Sequence, residues 1–190
     1  MKNKLFFLLI FVSTLGLKAQ TGTLSGSITS PFSDPVEVTT INLYDANDNL
    51  LAVTSGDHFS FSGLNQGDTY RITFEKNEAP LNGVSTFDMV LIVRHILAID
   101  PITSPYLLYA ADINSSTPVT VFDMVLLRRL ILGIDTEMMV PSWQFLPAGI
   151  STFTGNYTLN EVEVEMTANE VIQDITGFKM GDINGSAVPN

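Results

Sequence analysis

The sequence predicts an all-β sandwich domain followed by a small, mostly α domain that ends in a C-terminal β-strand or hairpin extension. Three observations predict it. Residues 22–76 alternate apolar and polar positions between turn clusters, residues 77–147 carry a unit repeated at helical spacing, and residues 148–190 return to alternation.

Residues 1–19 stand apart. Lys2 and Lys4 precede an apolar run from Leu5 to Leu17, and Lys18-Ala19-Gln20 closes it beside a small residue, the pattern of a secretory signal peptide cut near Ala19 or Gln20. The run is short for a membrane span, and no later stretch reaches about 18 uninterrupted apolar residues, so a secreted or cell-surface protein with no integral span is expected. Removing Lys2, Lys4 and Lys18 leaves six of the nine basic residues against twenty acidic ones, a formal charge near -14 in place of -11. That balance excludes sequence-independent nucleic-acid binding, which depends on clustered Lys and Arg. The absence of cysteine excludes disulfides, thiolate metal sites and a cysteine nucleophile.

Period-two alternation marks strands at Leu24 to Ile28, Val36 to Tyr44, Leu50 to Thr54, His58 to Phe61 and Thr69 to Phe74. Ser33-Asp34-Pro35, Asp45 to Asp48, Ser55 to Asp57 and Gly63 to Asp68 separate them with turn chemistry. Short strands at this spacing predict a small antiparallel sandwich. The stretch resembles the prealbumin-like sandwiches of secreted proteins, the group that includes carboxypeptidase regulatory-like and collagen-adhesin B-type repeats. The residues that carry the resemblance are Ser25 to Ile28, Ile41 to Leu51, Phe59 to Leu64 and Gly67 to Ile72. It implies a spacer, stalk or adhesive module.

Val84 to Asp100 recurs thirty-five positions on as Val119 to Asp135, sharing the words Phe-Asp-Met-Val-Leu and Ile-Leu. Phe87, Val90, Leu91, Arg94 and Leu97, with Phe122, Val125, Leu126, Arg129 and Leu132 in the second copy, recur at helical spacing and predict two short helices. Gly133 suits the end of the second.

Asp112 to Asp123 spans twelve residues with side-chain oxygens at loop positions 1, 3, 5, 9 and 12. Calcium takes about six to eight oxygens at roughly 2.3–2.6 Å, and alternate spacing lets one loop wrap the ion. Asp112, Asn114, Ser116 and Asp123 are expected as side-chain ligands, Pro118 through its carbonyl, and Thr120 directly or through water. A plain polar turn ended by a helix-capping Asp is the competing reading.

A duplicated loop-then-helix unit with Asp at position 12 resembles type I dockerin modules over residues Asn77 to Pro147. Asp112-Ile-Asn114, Phe87 to Leu91 and Phe122 to Ile134 carry the resemblance. It implies a calcium-binding module that docks to a cohesin-like or cell-surface scaffold. Positions 10 and 11 read Thr86-Phe87 and Val121-Phe122, where cellulosomal dockerins often have a Ser-Thr pair.

The first loop lacks ligands: counting back from Asp88 puts Asn77, Ala79 and Leu81 at positions 1, 3 and 5. The far end, Gly181-Asp-Ile-Asn-Gly-Ser-Ala187, parallels Ala111 to Thr117. Asp182, Asn184 and Ser186 are therefore expected to join Asp88 and a carbonyl near Gly83 in a second calcium site clasping the ends of the module. The start of a further repeat, or a simple turn, remains open as the alternative.

Tyr157 to Met166 alternates apolar and acidic residues and predicts a strand or hairpin, with Trp143 and Phe145 packing it on the helices. Trp143 is expected in a core. His58 and His95 are the chain's two imidazoles, and the counterpart of His95 is Leu130, so no catalytic set is expected. The expected function is a non-catalytic, secreted calcium-binding interaction module. The alternatives are a structural or adhesive stalk protein rigidified by calcium, or an accessory component of extracellular polysaccharide degradation.

Overall fold

A computed structural model describes residues 20–154 and 157–189. The expected signal peptide lies outside the described residues. Among the described residues no helix is long and apolar enough to cross a membrane.

Five strands come first: β1 (Thr21–Thr29), β2 (Thr39–Tyr44), β3 (Leu50–Gly56), β4 (His58–Asn65) and β5 (Thr69–Glu75). Three helices follow, α1 (Thr86–Ile96), α2 (Pro105–Ala111) and α3 (Val121–Ile131). The chain then returns to β6 (Trp143–Pro147), β7 (Glu161–Glu165), β8 (Glu170–Ile172) and β9 (Ile175–Lys179). One sheet runs β4-β1-β9-β6, with β8 also paired to β1, and the other runs β3-β2-β5-β7. The two face each other across Leu24, Ile28, Phe59, Phe61 and Ile175 on one side and Ile41, Leu43, Tyr70, Ile72 and Phe74 on the other. Phe74 bridges the layers, with ring centroids 6.1 Å from Phe59 and 5.7 Å from Phe145.

This corrects the expected fold class. The helices do not form a separate small α domain after a finished sandwich, because the last four strands complete both sheets. β9 runs parallel to β1 through Ile28↔Ile175, and β7 lies antiparallel to β5 through Ile72↔Val162. The alternating strand from Glu161 to Glu165 thus extends the sandwich and not the helical segment, placing Val164 inward and Glu163 and Glu165 outward.

β6 and β9 carry apolar side chains on both faces, the pattern of a strand covered on both sides. Phe145 and Ile175 enter the sandwich core, whereas Leu146 and Phe178 enter a second core with Ile92, Tyr109, Leu127 and Leu130 from the helices. The helices therefore form a third layer on the β6–β9 half of one sheet. Close approach of β9 to β6 needs Gly177, where a Cβ would come within 2.8 Å of the Phe145 ring.

Candidate calcium sites

Asp112 closes α2 as its C-cap, and Asp123 sits in the first turn of α3. Both are buried, at 2% and 0% exposure. The Oδ1 and Oδ2 of Asp112 accept from the Ser116 and Thr117 amides at 2.9 and 2.8 Å. Asn114 Oδ1 accepts from the Ser116 amide at 3.0 Å, and Asp123 Oδ1 accepts from the Asn114 amide at 3.3 Å. The loop curls this tightly because Ser115 and Thr117 take left-handed backbone, at φ 53° and 33°. Thr120 is the N-cap of α3: its hydroxyl accepts from the Phe122 amide and donates to Asp123 Oδ2 at 3.0 Å. Thr120 therefore serves the helix cap, and Asp123 has a capping role in addition to facing Asp112. Pro118 follows in the exposed part of the loop.

The second constellation joins the turn before α1 to the segment after β9 and repeats these contacts. Asp182 Oδ1 accepts from the Ser186 amide at 3.1 Å and its Oδ2 from the Ala187 amide at 2.9 Å. Asn184 Oδ1 accepts from the Ser186 amide at 2.9 Å, and Asp88 Oδ1 accepts from the Asn184 amide at 3.3 Å. Asp88 Oδ1 also accepts from the Ile183 amide at 2.8 Å. Ser85 caps α1 as Thr120 caps α3, and its amide donates to Asp88 Oδ2 at 2.8 Å. Gly83, five residues before Asp88 as Pro118 is before Asp123, accepts from the Ser186 hydroxyl at 2.8 Å. Gly185 takes the left-handed backbone that Ser115 takes in the other loop. The structure thus brings Asp182, Asn184 and Ser186 together with Asp88 and Gly83, up to 103 residues away along the chain.

Each site holds two facing buried carboxylates. Burial lifts the Asp112 carboxyl above its usual range, and the neighbouring Asp123 charge adds to the shift against the pull of the Thr117 and Ser116 amides. Asp182 is lifted in the same way by burial and by Asp88. Among the described residues no Lys, Arg or His lies within salt-bridge distance of Asp88, Asp112, Asp123 or Asp182. Two carboxylates brought together out of water are costly unless a cation joins them, and the buried Lys179 attracts Asp182 only from beyond salt-bridge distance. Among the described residues no group of three or more His, Cys, Asp or Glu side chains is placed to hold a metal. The donors expected at each site, two carboxylates with Asn, Ser and a carbonyl, are all hard oxygen with no nitrogen or sulfur, a chemistry that suits calcium and not a transition metal. Asp112 uses two of about four acceptor positions on its carboxylate for backbone amides, so the others stay open to an ion.

No family model matches the chain, and no curated protein matches it. Two solved structures of a bacterial adhesin from Mobiluncus mulieris, described as containing intramolecular disulfide, isopeptide and ester bond cross-links, align with 83% of this chain. Their TM-scores are 0.32 and 0.31 at 10% and 11% identity, a level that carries no argument about fold or function. The chain spans 40% of the length of those adhesin chains.

Residues with no sequence signal complete the clasp. Asn82 Nδ2 donates to the Val188 carbonyl at 2.7 Å and Asn82 Oδ1 accepts from the Val188 amide at 3.1 Å, tying the C-terminal segment to the turn before α1. Lys179, buried in β9, donates to the Pro80 carbonyl at 2.9 Å, and burial pushes its pKa down to about 8 against the pull of Asp182 and Glu78. An isolated Asn and a Lys at the end of an apolar strand have no pattern by which sequence could mark them.

The histidines are apart from both sites. His95 Nδ1 accepts from the Ile102 amide at 3.0 Å, a structural contact, and His58 lies on the surface beside Asp57. Trp143 is 2% exposed within the sandwich core and presents no face to a sugar.

Proposed function

We propose that this chain is a non-catalytic, calcium-stabilised structural or adhesive module of an exported protein, acting outside the cell or at its surface. The observation that carries the reading is the near-identity of the two loop geometries. Asp112–Asn114–Ser116 with Asp123, and Asp182–Asn184–Ser186 with Asp88, repeat the same amide-to-carboxylate contacts although one is continuous and the other split. Both pairs are buried with no cation within salt-bridge distance among the described residues, so an ion of hard-oxygen preference relieves the repulsion and favours the folded form by mass action. The leader-like residues 1–19 and the absence of cysteine support export of a chain that calcium, and not disulfides, rigidifies. Calcium titration followed by thermal melting tests it: the midpoint rises with calcium and falls on chelation, and a midpoint indifferent to calcium contradicts the reading.

A second reading, docking of a cohesin-like or surface scaffold through the duplicated helices, is favoured by one specific observation. Phe87, Val90, Leu97 and Ile99 are exposed, and so are their repeat counterparts Phe122, Val125, Leu132 and Ile134. Capture of a scaffold protein that chelator abolishes and that Phe87→Ala with Phe122→Ala weakens supports docking; capture indifferent to both leaves the stalk reading alone. A role beside polysaccharide-degrading enzymes rests on the dockerin resemblance only.

A further inference from the structure

A cavity of about 340 Å³ lies beside the Asp112 loop. The loop divides its residues between two sides. Asn114, Ser116 and Asp123, expected around the ion, do not border the cavity, whereas Asp112, Ser115 and Thr117 do, together with Tyr157 and Thr158 from the segment before β7. Tyr109 borders it as well. Its ring packs edge-on against Phe153 with centroids 4.7 Å apart, and its hydroxyl is buried with no hydrogen-bond partner among the described residues. The hydroxyl of Tyr70, by contrast, accepts from the Asn65 amide at 3.0 Å, and that of Tyr106 donates to the Pro147 carbonyl at 2.9 Å. A buried phenol without a partner costs folding free energy until something accepts its proton.

We infer that this cavity binds one neutral sugar residue, whose oxygen accepts from the Tyr109 hydroxyl. The chemistry of the lining selects that ligand. No Lys, Arg or His borders the cavity, which disfavours an anion, and an apolar molecule would leave both the Tyr109 hydroxyl and Asp112 unpaired. With calcium in the loop the Asp112 charge is offset, so a cationic ligand gains little there; this step, and the calcium dependence that follows from it, rest on the proposed function. A peptide carries one donor and one acceptor per residue along an extended backbone, which suits a groove and not a compact cavity. A sugar has a hydroxyl on nearly every ring carbon, and Ser115, Thr117 and Thr158 supply hydroxyls that both donate and accept. Tyr157, 36% exposed, adds an aromatic ring with a polar tip to the same wall. Because three of these residues belong to the calcium loop, an ordered loop gives the cavity its shape.

Saturation-transfer NMR with calorimetric titration of the chain in calcium tests it, using glucose, galactose, mannose and their methyl glycosides as probes. At least one should bind with a millimolar Kd. Tyr109→Phe should weaken that binding at least about tenfold, with calcium stoichiometry unchanged and the melting midpoint the same or higher, because the lost hydroxyl has no partner in the free protein. Asp123→Ala, which does not border the cavity, should weaken sugar and calcium binding together. Binding of the methyl glycosides as well as the free sugars assigns the site to the end of a glycan chain, and binding of the free sugars alone assigns it to a soluble sugar. A chain that takes up calcium but binds no probe at about 100 mM, or a sugar that Tyr109→Phe holds as tightly, overturns the proposal and leaves the calcium reading standing. Sugar binding lost in Tyr109→Phe, in a chain that takes up no calcium, supports the sugar site and contradicts the calcium reading instead.

Discussion

The Ser186 hydroxyl donates to the Gly83 carbonyl at 2.8 Å across 103 residues of chain, closing the C-terminal half-loop onto the start of α1. Gly83 has φ 74°, and a Cβ there would lie 2.3 Å from the Ala187 amide nitrogen. Gly83→Ala therefore meets both a left-handed backbone and a backbone collision. The expected cost is about 1–3 kcal/mol of stability, with loss of calcium binding at the split site and retention at the Asp112 loop. Denaturant unfolding with calcium titration of the variant measures both.

Asp123 both caps α3 and faces Asp112, so Asp123→Ala should act twice. Loss of the cap lowers the midpoint in chelator by an amount corresponding to about 0.5–2 kcal/mol, and loss of the ligand removes much of the calcium-induced rise. Asp112→Asn separates the two effects, because the cap remains. It should leave the chelated midpoint unchanged or higher, since one of two repelling charges is gone, and still diminish the calcium response. Thermal melts of both variants with and without calcium decide it.

Asp112 and Asp182 have raised pKa values in the folded chain, through burial and then the facing carboxylates. In chelator the folded form therefore holds protons that the unfolded form has released, and these two groups make stability fall as pH rises above the unfolded value of 3.8 through their folded values. Calcium needs both ionised. The midpoint gain from calcium should be smaller at about pH 5 than at pH 7.5, and an equal gain at both would show that these carboxyls do not bind the ion.

Strands β1 to β5 were legible from alternation between turn clusters, and α1 and α3 from the repeat. The partnership of Asp182 with Asp88 could also be inferred, because a loop without ligands and a loop without a helix left complementary remainders. The pairing of β7 with β5 and of β9 with β1 was not legible. Alternation tells which face of a strand is apolar but not which strand lies beside it, and Trp143, Phe145 and Leu146 are apolar on both faces for a reason only the third layer explains. α2 was missed because Tyr106 to Ala111 is an apolar run without polar spacing; Pro105 at its first turn was the remaining cue.

On the proposed function, two calcium ions bind, one of them between the turn before α1 and the segment after β9. Calcium stoichiometry by native mass spectrometry, for the chain and for Asp182→Asn, tests it most directly. The account predicts two ions for the chain and one for the variant; one ion for the chain, or two for the variant, would contradict it.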